Sequence, residues 1–255
     1  MPRFGVTGSN GFLGWHLRCA LHANRQDVVV PAPREVFGDD RALGQFAAQC
    51  DAIVHLAALN RGDDALIESA NVDLTRRLIA ALEAARARPH VILSSSIHQA
   101  SDTPYGRSKR ISAELLANWA SRSGAIFTNL ILPNIFGECG RPHYNSVVAT
   151  FCHQLARGEA PQVIEDRELE LVHAQRVARE IRQLVGRPTA GDRLMSGTRL
   201  RVSALLSRLR EMARRYADHR IPRLDAELDL ELFNTYRSYL FPQGYPMTPD
   251  LRSDN

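Results

Sequence analysis

The amino-acid sequence predicts an α/β fold, a doubly wound parallel sheet followed by a small C-terminal cap. Three observations carry that expectation. Short apolar runs alternate with longer stretches of helical periodicity as far as about residue 135. Glycines spaced three apart stand at the first strand-to-helix junction. Beyond Gly137 the alternation gives way to a stretch rich in Pro, His, Arg and Asn, "GECGRPHYNS".

Taken in order, "RFGVTG" reads as the first strand, "FLGWHLRCALHA" as a helix and "DVVVPAP" as the second strand. "RALGQFAAQ" has helical periodicity, and "DAIVHLAA" is apolar enough for a strand buried on both faces. "ALIESANVDLTRRLIAALEAAR" spaces its apolar residues as a long helix does, and "HVILSSS" is a fourth strand. "YGRSKRISAELLANWASR" is a second long helix, and "IFTNLILPNIFG" reads as a fifth strand. Strands that alternate with helices in this way specify parallel pairing through helical crossovers. Past the polar stretch, "VVATFCHQLAR" and the arginine-rich "VSALLSRLREMARRYA" read as helices, the second with a solvated basic face over an apolar stripe. Residues 1–137 are expected to form the core, and residues 138–255 a mixed region holding the cap and the remaining core elements. The last fifteen residues, with their Pro and Asp, are expected to be poorly ordered.

Composition narrows the function. The chain has 255 residues, 44% of them hydrophobic, enough for a substantial core. Its net charge of +4 is spread among 32 basic and 28 acidic residues. That distribution argues against a nucleic-acid surface. No apolar run reaches the length of a membrane span. Cys19, Cys50, Cys139 and Cys152 form no CxxC pair and no signal peptide is evident, so reduced thiols and a cytoplasmic location are expected.

"VTGSNGFLG" places Gly8, Gly11 and Gly14 directly after a strand and directly before a helix. The first glycine permits a tight turn, the second lets backbone approach a pyrophosphate, and the third lets helix and strand pack closely. Free amides and the dipole at the helix N-terminus favour the phosphate charge. This is the signature of a Rossmann-type dinucleotide site. At the end of the second strand, Arg34 precedes Glu35, and Arg18 in the first helix can lie on the same side. An arginine there suits the extra phosphate of NADPH, the expected cofactor, with NAD as the alternative.

Lysine and arginine together number 32, and one alone of them, Lys109, is lysine. It stands four residues after Tyr105, one helical turn away on the same face. An ammonium there can reach a nicotinamide ribose and is expected to lower the phenol's pKa toward the working range. Lysine suits this better than arginine because its charge is compact. Ser94, Ser95 and Ser96 end the fourth strand, and a hydroxyl there, with Ser96 preferred, can share charge developing on a substrate oxygen. Asn71 either caps a helix or fixes structure behind the lysine.

With these residues in place, the chain resembles the extended short-chain dehydrogenase/reductase family. TGxxGxxG, "DAIVHLAA", the "NV" helix start, "SSS", YxxxK and "PNIFG" occur in that family's order. The resemblance covers about the first 150 residues. It implies a Ser-Tyr-Lys site at Ser96, Tyr105 and Lys109. It implies cofactor contacts from Gly8, Gly11, Phe12, Leu13 and Gly14, from Arg34, and from Leu56, Ala57 and Ala58. Asn71, Ser94 and Pro133 complete that set beside Tyr105 and Lys109. A homodimer built on the two long helices is also implied.

A narrower likeness, in "LSSSIHQA", "RPHYNSVVATFCHQLAR" and "TYRSYL", is to the reductase domain of capsular-polysaccharide enzymes that form UDP-N-acetyl-6-deoxy-talosamine. It implies NADPH-dependent reduction of a UDP-linked 4-keto-6-deoxy-N-acetylhexosamine. Members of that group carry a cupin domain after the reductase, so a separate cupin-type epimerase is a possible partner. Their usual "VDD" segment after the sixth strand is replaced by His173 to Arg176, "HAQR".

On the substrate side, Arg141 and His143 can meet a diphosphate, Asn145 and Ser146 can cap the next helix, and Tyr144 can stack on a sugar or base. Asn134 and His98 are further candidates. A sugar dehydratase needs an additional acid and base near the catalytic serine, where Ile97 and His98 stand instead, which disfavours dehydration. A 4-epimerase with retained NAD and a catalytically silent NAD(P)-binding scaffold remain the competing readings.

Overall fold

The computed structural model describes residues 1–241, apart from the Ala65 side chain. The elements run in the order β1 (Arg3–Thr7), α1 (Phe12–Ala23), β2 (Val28–Ala32), α2 (Asp40–Ala48), β3 (Ala52–His55), α3 (Asp64–Ala84), β4 (His90–Ser96), α4 (Pro104–Ser123), β5 (Phe127–Leu132), β6 (Asn134–Phe136), α5 (Val147–Ala156), β7 (Glu168–His173), α6 (Ala174–Gly186), β8 (Gly191–Leu194), β9 (Thr198–Arg201), α7 (Val202–Ala217) and α8 (Glu227–Leu240). Short 3-10 turns lie at Arg34–Gly38 and Ile97–Ala100.

The chain divides into two compact units. The first joins Met1–Pro133 with Ala174–Ser196, and the second joins Asn134–His173 with the chain from Gly197 on. The expected boundary after residue 137 thus differs from the observed one, which falls at Pro133 and is crossed again on the return to α6 and β8.

The first unit holds a six-stranded sheet in the order β2-β1-β3-β4-β5-β8, parallel throughout. All four residues of β3 are buried, as a strand covered on both faces requires. Pro31 is tolerated in β2 because β2 is an edge strand and needs no ladder donor on its outer side. The core beneath α2, α3 and α4 is built by Phe46, Ile53, Leu78, Leu82, Leu93 and Trp119 among others. Asp39 caps α2, Thr103 caps α4, and Gly124 ends α4 in the left-handed region at φ 74°. Strand β8 is short, charged and exposed, and Asn129 of β5 holds it by donating to Asp192 Oδ1 at 2.9 Å.

In the second unit β7 lies between β6, which is parallel to it, and β9, which is antiparallel. The run "IFTNLILPNIFG", read as one strand, is therefore two strands in two sheets. Pro133 divides them because it has no N–H with which to continue the ladder. Helices α5, α7 and α8 bury Val148, Phe151, Leu205, Leu209, Leu232 and Tyr236 in a separate core. The arginines of α7 face outward as expected, and Asp166 caps that helix by accepting from the Ser203 amide and hydroxyl, both at 2.9 Å. The terminal segment expected to be poorly ordered lies, beyond Phe241, outside the described residues.

Candidate active site

Strand β1 ends at Thr7, and the chain turns at Gly8 with φ +64°, where glycine is favoured. The Gly11 amide closes the turn on the Gly8 carbonyl at 2.9 Å. Gly11 then occupies the N-cap of α1 with no side-chain cap. A Cβ at Gly8 would lie 2.8 Å from the Ala57 nitrogen, and one at Gly11 would lie 3.2 Å from the Gly8 oxygen. At Gly14 it would collide with the Gly8 carbonyl oxygen and stand 2.9 Å from Ser9 Cα. The result is a bare backbone cradle before a helix whose first amides, those of Phe12 and Leu13 included, have no intrahelical acceptor. Inside the turn the buried Ser9 hydroxyl has no hydrogen-bond partner among the described residues. These residues fit a pyrophosphate, since an anion supplies what the free amides lack.

Of the two arginines weighed for an adenosine phosphate, Arg18 lies against the turn. Its Nη1 donates to the Ser9 carbonyl at 3.2 Å and to Asn10 Oδ1 at 3.1 Å. Arg34 opens the 3-10 turn after β2 and faces solvent. Leu56, Ala57 and Ala58 follow β3, and the Leu56 and Ala57 amides donate to Thr7 Oγ1 at 3.1 and 3.2 Å. Asn71 caps nothing, because it lies inside α3. It is buried and clamps the loop after β3, accepting from the Leu59 amide at 2.6 Å and donating to the Leu59 carbonyl at 3.0 Å and to Ser108 Oγ at 3.2 Å.

Strand β4 and the start of α4 carry the proposed chemistry. Ser96 Oγ accepts from the His98 amide at 3.2 Å, and His98 is exposed. Ser95 points elsewhere and donates to Gln99 Oε1 at 2.7 Å. Pro104 begins α4, and Thr103 accepts from the Gly106 amide at 3.1 Å. Gly106 is pressed against the preceding 3-10 turn, where a Cβ would lie 2.5 Å from the His98 and Ser101 carbonyl oxygens. That contact fixes the first turn of the helix, and with it Tyr105. Ser108 Oγ donates to the Tyr105 carbonyl at 2.7 Å.

Lys109 is 5% exposed. Its Nζ donates to the Ser94 carbonyl at 2.8 Å and stands 5.5 Å from the centroid of the Tyr105 ring. Burial pulls the ammonium down from 10.5 to about 8 and pushes the phenol up from 10.0 to about 12. The expected acidification of Tyr105 by its cationic neighbour is thus corrected: desolvation prevails, and the phenol keeps its proton at neutral pH.

The first unit accordingly brings together the glycine turn, the loop after β3, Asn71, Ser94, Ser96, Tyr105 and Lys109, with Pro133 ending its first segment. Asn134, Arg141, His143, Asn145 and Ser146 belong to the second unit. There Asn134 Nδ2 donates to the Glu170 carbonyl at 3.1 Å, and the Arg141 guanidinium lies 5.1 Å over the Tyr144 ring. His143, at φ 56°, donates its amide to Thr150 Oγ1 at 3.0 Å. Ser146, not Asn145, caps α5, accepting from the Ala149 amide at 3.3 Å. In the divergent "HAQR" segment, His173 ends β7 with Nε2 3.2 Å from Glu138 Oε2. Gln175 in α6 reaches toward His16 of α1 at 3.4 Å.

Sequence reasoning passed over Thr7, His55, Thr75 and Ser112, which are joined in one buried hydrogen-bond chain. The available signal was a histidine closing an otherwise apolar strand, since a buried imidazole requires partners on both nitrogens.

Comparison with known proteins places this geometry. Residues 5–194 match the model of the NAD dependent epimerase/dehydratase family. The chain belongs to that family. It is 32% identical over 256 residues to UDP-2-acetamido-2,6-beta-L-arabino-hexul-4-ose reductase of Pseudomonas aeruginosa, covering 98% of this chain and 68% of the relative. Among solved structures, the capsular polysaccharide assembling protein CapF of Staphylococcus aureus superposes with a TM-score of 0.81 at 29% identity, over 93% of this chain. This chain spans 65% of CapF's length. RMD of Pseudomonas aeruginosa, solved with NADPH, shares the fold at a TM-score of 0.80 and 20% identity, over 94% of this chain and 99% of that one.

Proposed function

We propose that this chain is an NADPH-dependent reductase acting on a UDP-linked 4-keto-6-deoxy-N-acetylhexosamine. The observation that carries the reading is the Tyr105 phenol one helical turn before Lys109, whose buried ammonium stands 5.5 Å from the centroid of the phenol ring. A carbonyl reduction needs a proton donor, and a phenol that retains its proton is one. A 4-epimerase would use the same phenol in both directions, so the preference for reduction rests on the likeness to a reductase at 32% identity. The name of the Pseudomonas relative, a hexul-4-ose reductase, supports the substrate class.

In this reading the glycine turn and the α1 amides hold the pyrophosphate. Leu56, Ala57 and Ala58 line the cofactor, and Arg18 with Arg34 accommodates the phosphate that distinguishes NADPH from NADH. NADPH, when bound, supplies the hydride that reaches the carbonyl carbon. Tyr105 gives its proton to the carbonyl oxygen, Ser96 holds that oxygen by a hydrogen bond, and the Lys109 cation stabilises the phenolate left behind. Asn134, Arg141, His143, Asn145, Ser146 and His98 are assigned to the sugar nucleotide.

No helix among the described residues is long and apolar enough to cross a membrane, and the four cysteines are free. Both fit a cytoplasmic enzyme of polysaccharide synthesis. We assign a homodimer through α3 and α4.

The test is NADPH oxidation in the presence of the 4-keto sugar nucleotide, together with identification of any nucleotide released on denaturation. Consumption of NADPH with formation of the 4-hydroxy sugar is expected. Retained NAD with interconversion of 4-hydroxy epimers would replace this reading with the epimerase. Binding without turnover across a panel of keto sugars would replace it with the scaffold.

A further inference from the structure

The chain formed by Thr7, His55, Thr75 and Ser112 does no chemistry in the mechanism above, yet it runs from the pyrophosphate turn to the catalytic helix. Thr7 immediately precedes Gly8. Its Oγ1 accepts two backbone amides, those of Leu56 and Ala57, which occupies both of its lone pairs. The hydroxyl proton has one remaining acceptor, His55 Nδ1, at 2.8 Å. The ring proton of His55 must then reside on Nε2, which lies 3.3 Å from Thr75 Oγ1. Thr75 Oγ1 accepts there and donates to Ser112 Oγ at 2.9 Å, its shorter contact, the Asn71 carbonyl standing at 3.3 Å. Ser112 lies one turn after Lys109 and Ser108 on α4.

His55 is 1% exposed. Burial, with a smaller contribution from the Lys109 charge, lowers its pKa from 6.5 to about 3. A cationic ring would also give Thr7 a second proton where an acceptor is needed, so the hydrogen-bond count and the electrostatics agree on a neutral imidazole.

We propose that His55, fixed as the neutral Nε2–H tautomer, is a positioning residue that seats the loop after β3 against the glycine turn and ties both to the catalytic helix. The close approach explains why the seat must be exact to a fraction of an ångström: the Ala57 nitrogen lies 2.8 Å from where a Cβ on Gly8 would stand. If the Leu56 and Ala57 amides lost their acceptor, part-buried donors would go unpaired and the loop would shift from its seat against the glycine turn. The link to NADPH rests on the proposed reductase reading, but the tautomer does not.

The experiment has two arms. In the natural protein, nitrogen-15 NMR of the His55 ring is followed from pH 5 to pH 8. The expected result is a single neutral Nε2–H pattern that does not titrate. An Nδ1–H pattern, or a ring that titrates within that range, would overturn the proposal. This arm needs neither cofactor nor substrate, so it stands even if the reductase reading fails.

In the second arm, NADPH binding is measured by energy transfer from protein fluorescence for Thr7→Val and Thr7→Ser. Thr7→Val, nearly the same shape without the hydroxyl, is expected to weaken NADPH by at least about tenfold, with kcat at saturating NADPH reduced less than about threefold. Thr7→Ser keeps the hydroxyl and is expected to return the affinity to within about threefold of the natural protein. A folded Thr7→Val that binds NADPH as the natural protein does would refute the positioning role. Failure of Thr7→Val to fold leaves the NMR arm to decide.

Discussion

Two basic regions of this molecule contrast in how the chain uses positive charge. Lys109 is buried, has one backbone carbonyl as its anchor and is depressed to about 8. On α7, Arg214 and Arg215 stand in solvent and pair with Glu211 at 3.0 and 2.8 Å. The carboxyl of Glu211 is held down to about 2, first by hydrogen bonds from Arg214 and Arg215. The exposed group is the better paired and the less consequential, because water already screens its charges. The buried group is poorly compensated, and that solvation cost, kept at one position in the fold, is why the catalytic role is proposed for Lys109.

Four outcomes would break or sharpen this contrast. The largest effect on cofactor binding is expected from Gly14→Ala, whose Cβ cannot coexist with the Gly8 carbonyl oxygen. It should raise the NADPH Kd more than about tenfold and cost about 1–3 kcal/mol of stability, read by direct binding and urea unfolding. Normal binding would mean that the glycine turn is not the cradle.

Lys109→Met comes next and acts in opposite directions on activity and stability. Loss of the cation should lower kcat by about a hundredfold. Removing a buried charge relieves about 3 kcal/mol at pH 7, and leaving the Ser94 carbonyl unpaired gives back about 1–3 kcal/mol of that. A net gain of about 1 kcal/mol at pH 7 is therefore expected. The sign follows from a folded pKa of about 8 lying below the ordinary 10.5. In the natural protein the penalty is complete below about pH 8 and fades as pH rises to about 10.5, so the advantage of the methionine variant should shrink over the same interval. Chemical unfolding of both proteins at pH 7 and pH 10 checks this.

The third outcome is a pH profile. Since the mechanism requires the ammonium, kcat/KM should decline as pH rises through about 8. A flat profile to pH 10 would remove the cation from the chemistry. The smallest effect is expected on α7, where Arg214→Ala should leave Tm within about 1 °C and turnover unchanged.

The first unit was largely legible in the sequence because its signals are local. Alternating apolar runs located β1 to β5, and strand, glycine turn and helix located the cradle within one short stretch. "FLGWHLRCALHA" coincides with α1. The second unit was less legible because its strands are short and its sheet pairs distant segments. Strand β9, "TRLR", is held by its pairing with β7, and in the first unit the one late strand, β8, "GDRL", was equally hidden because it has no buried residue to show a period. Nothing in "NLILPNIF" except Pro133 signals a change of sheet.

In the site, spacing revealed the phenol and ammonium but not their balance. The pKa of Tyr105 depends on how much water its surroundings exclude, which no spacing encodes. Asn71 looked like a helix start because the eight residues after it are strongly helical. Its position inside α3 depends on the preceding turn, which the loop after β3 sets.

The most direct test of the central claim is a single-turnover measurement with Tyr105→Phe. Purified protein loaded with NADPH is mixed with the UDP-linked 4-keto sugar, and NADPH oxidation is followed by absorbance. The natural protein should oxidise one NADPH for each sugar reduced, while Tyr105→Phe should bind NADPH with nearly natural affinity and oxidise it at least about a thousandfold more slowly. Oxidation by the phenylalanine variant at the natural rate would show that the proton comes from elsewhere, and the role assigned to the half-buried phenol would be lost.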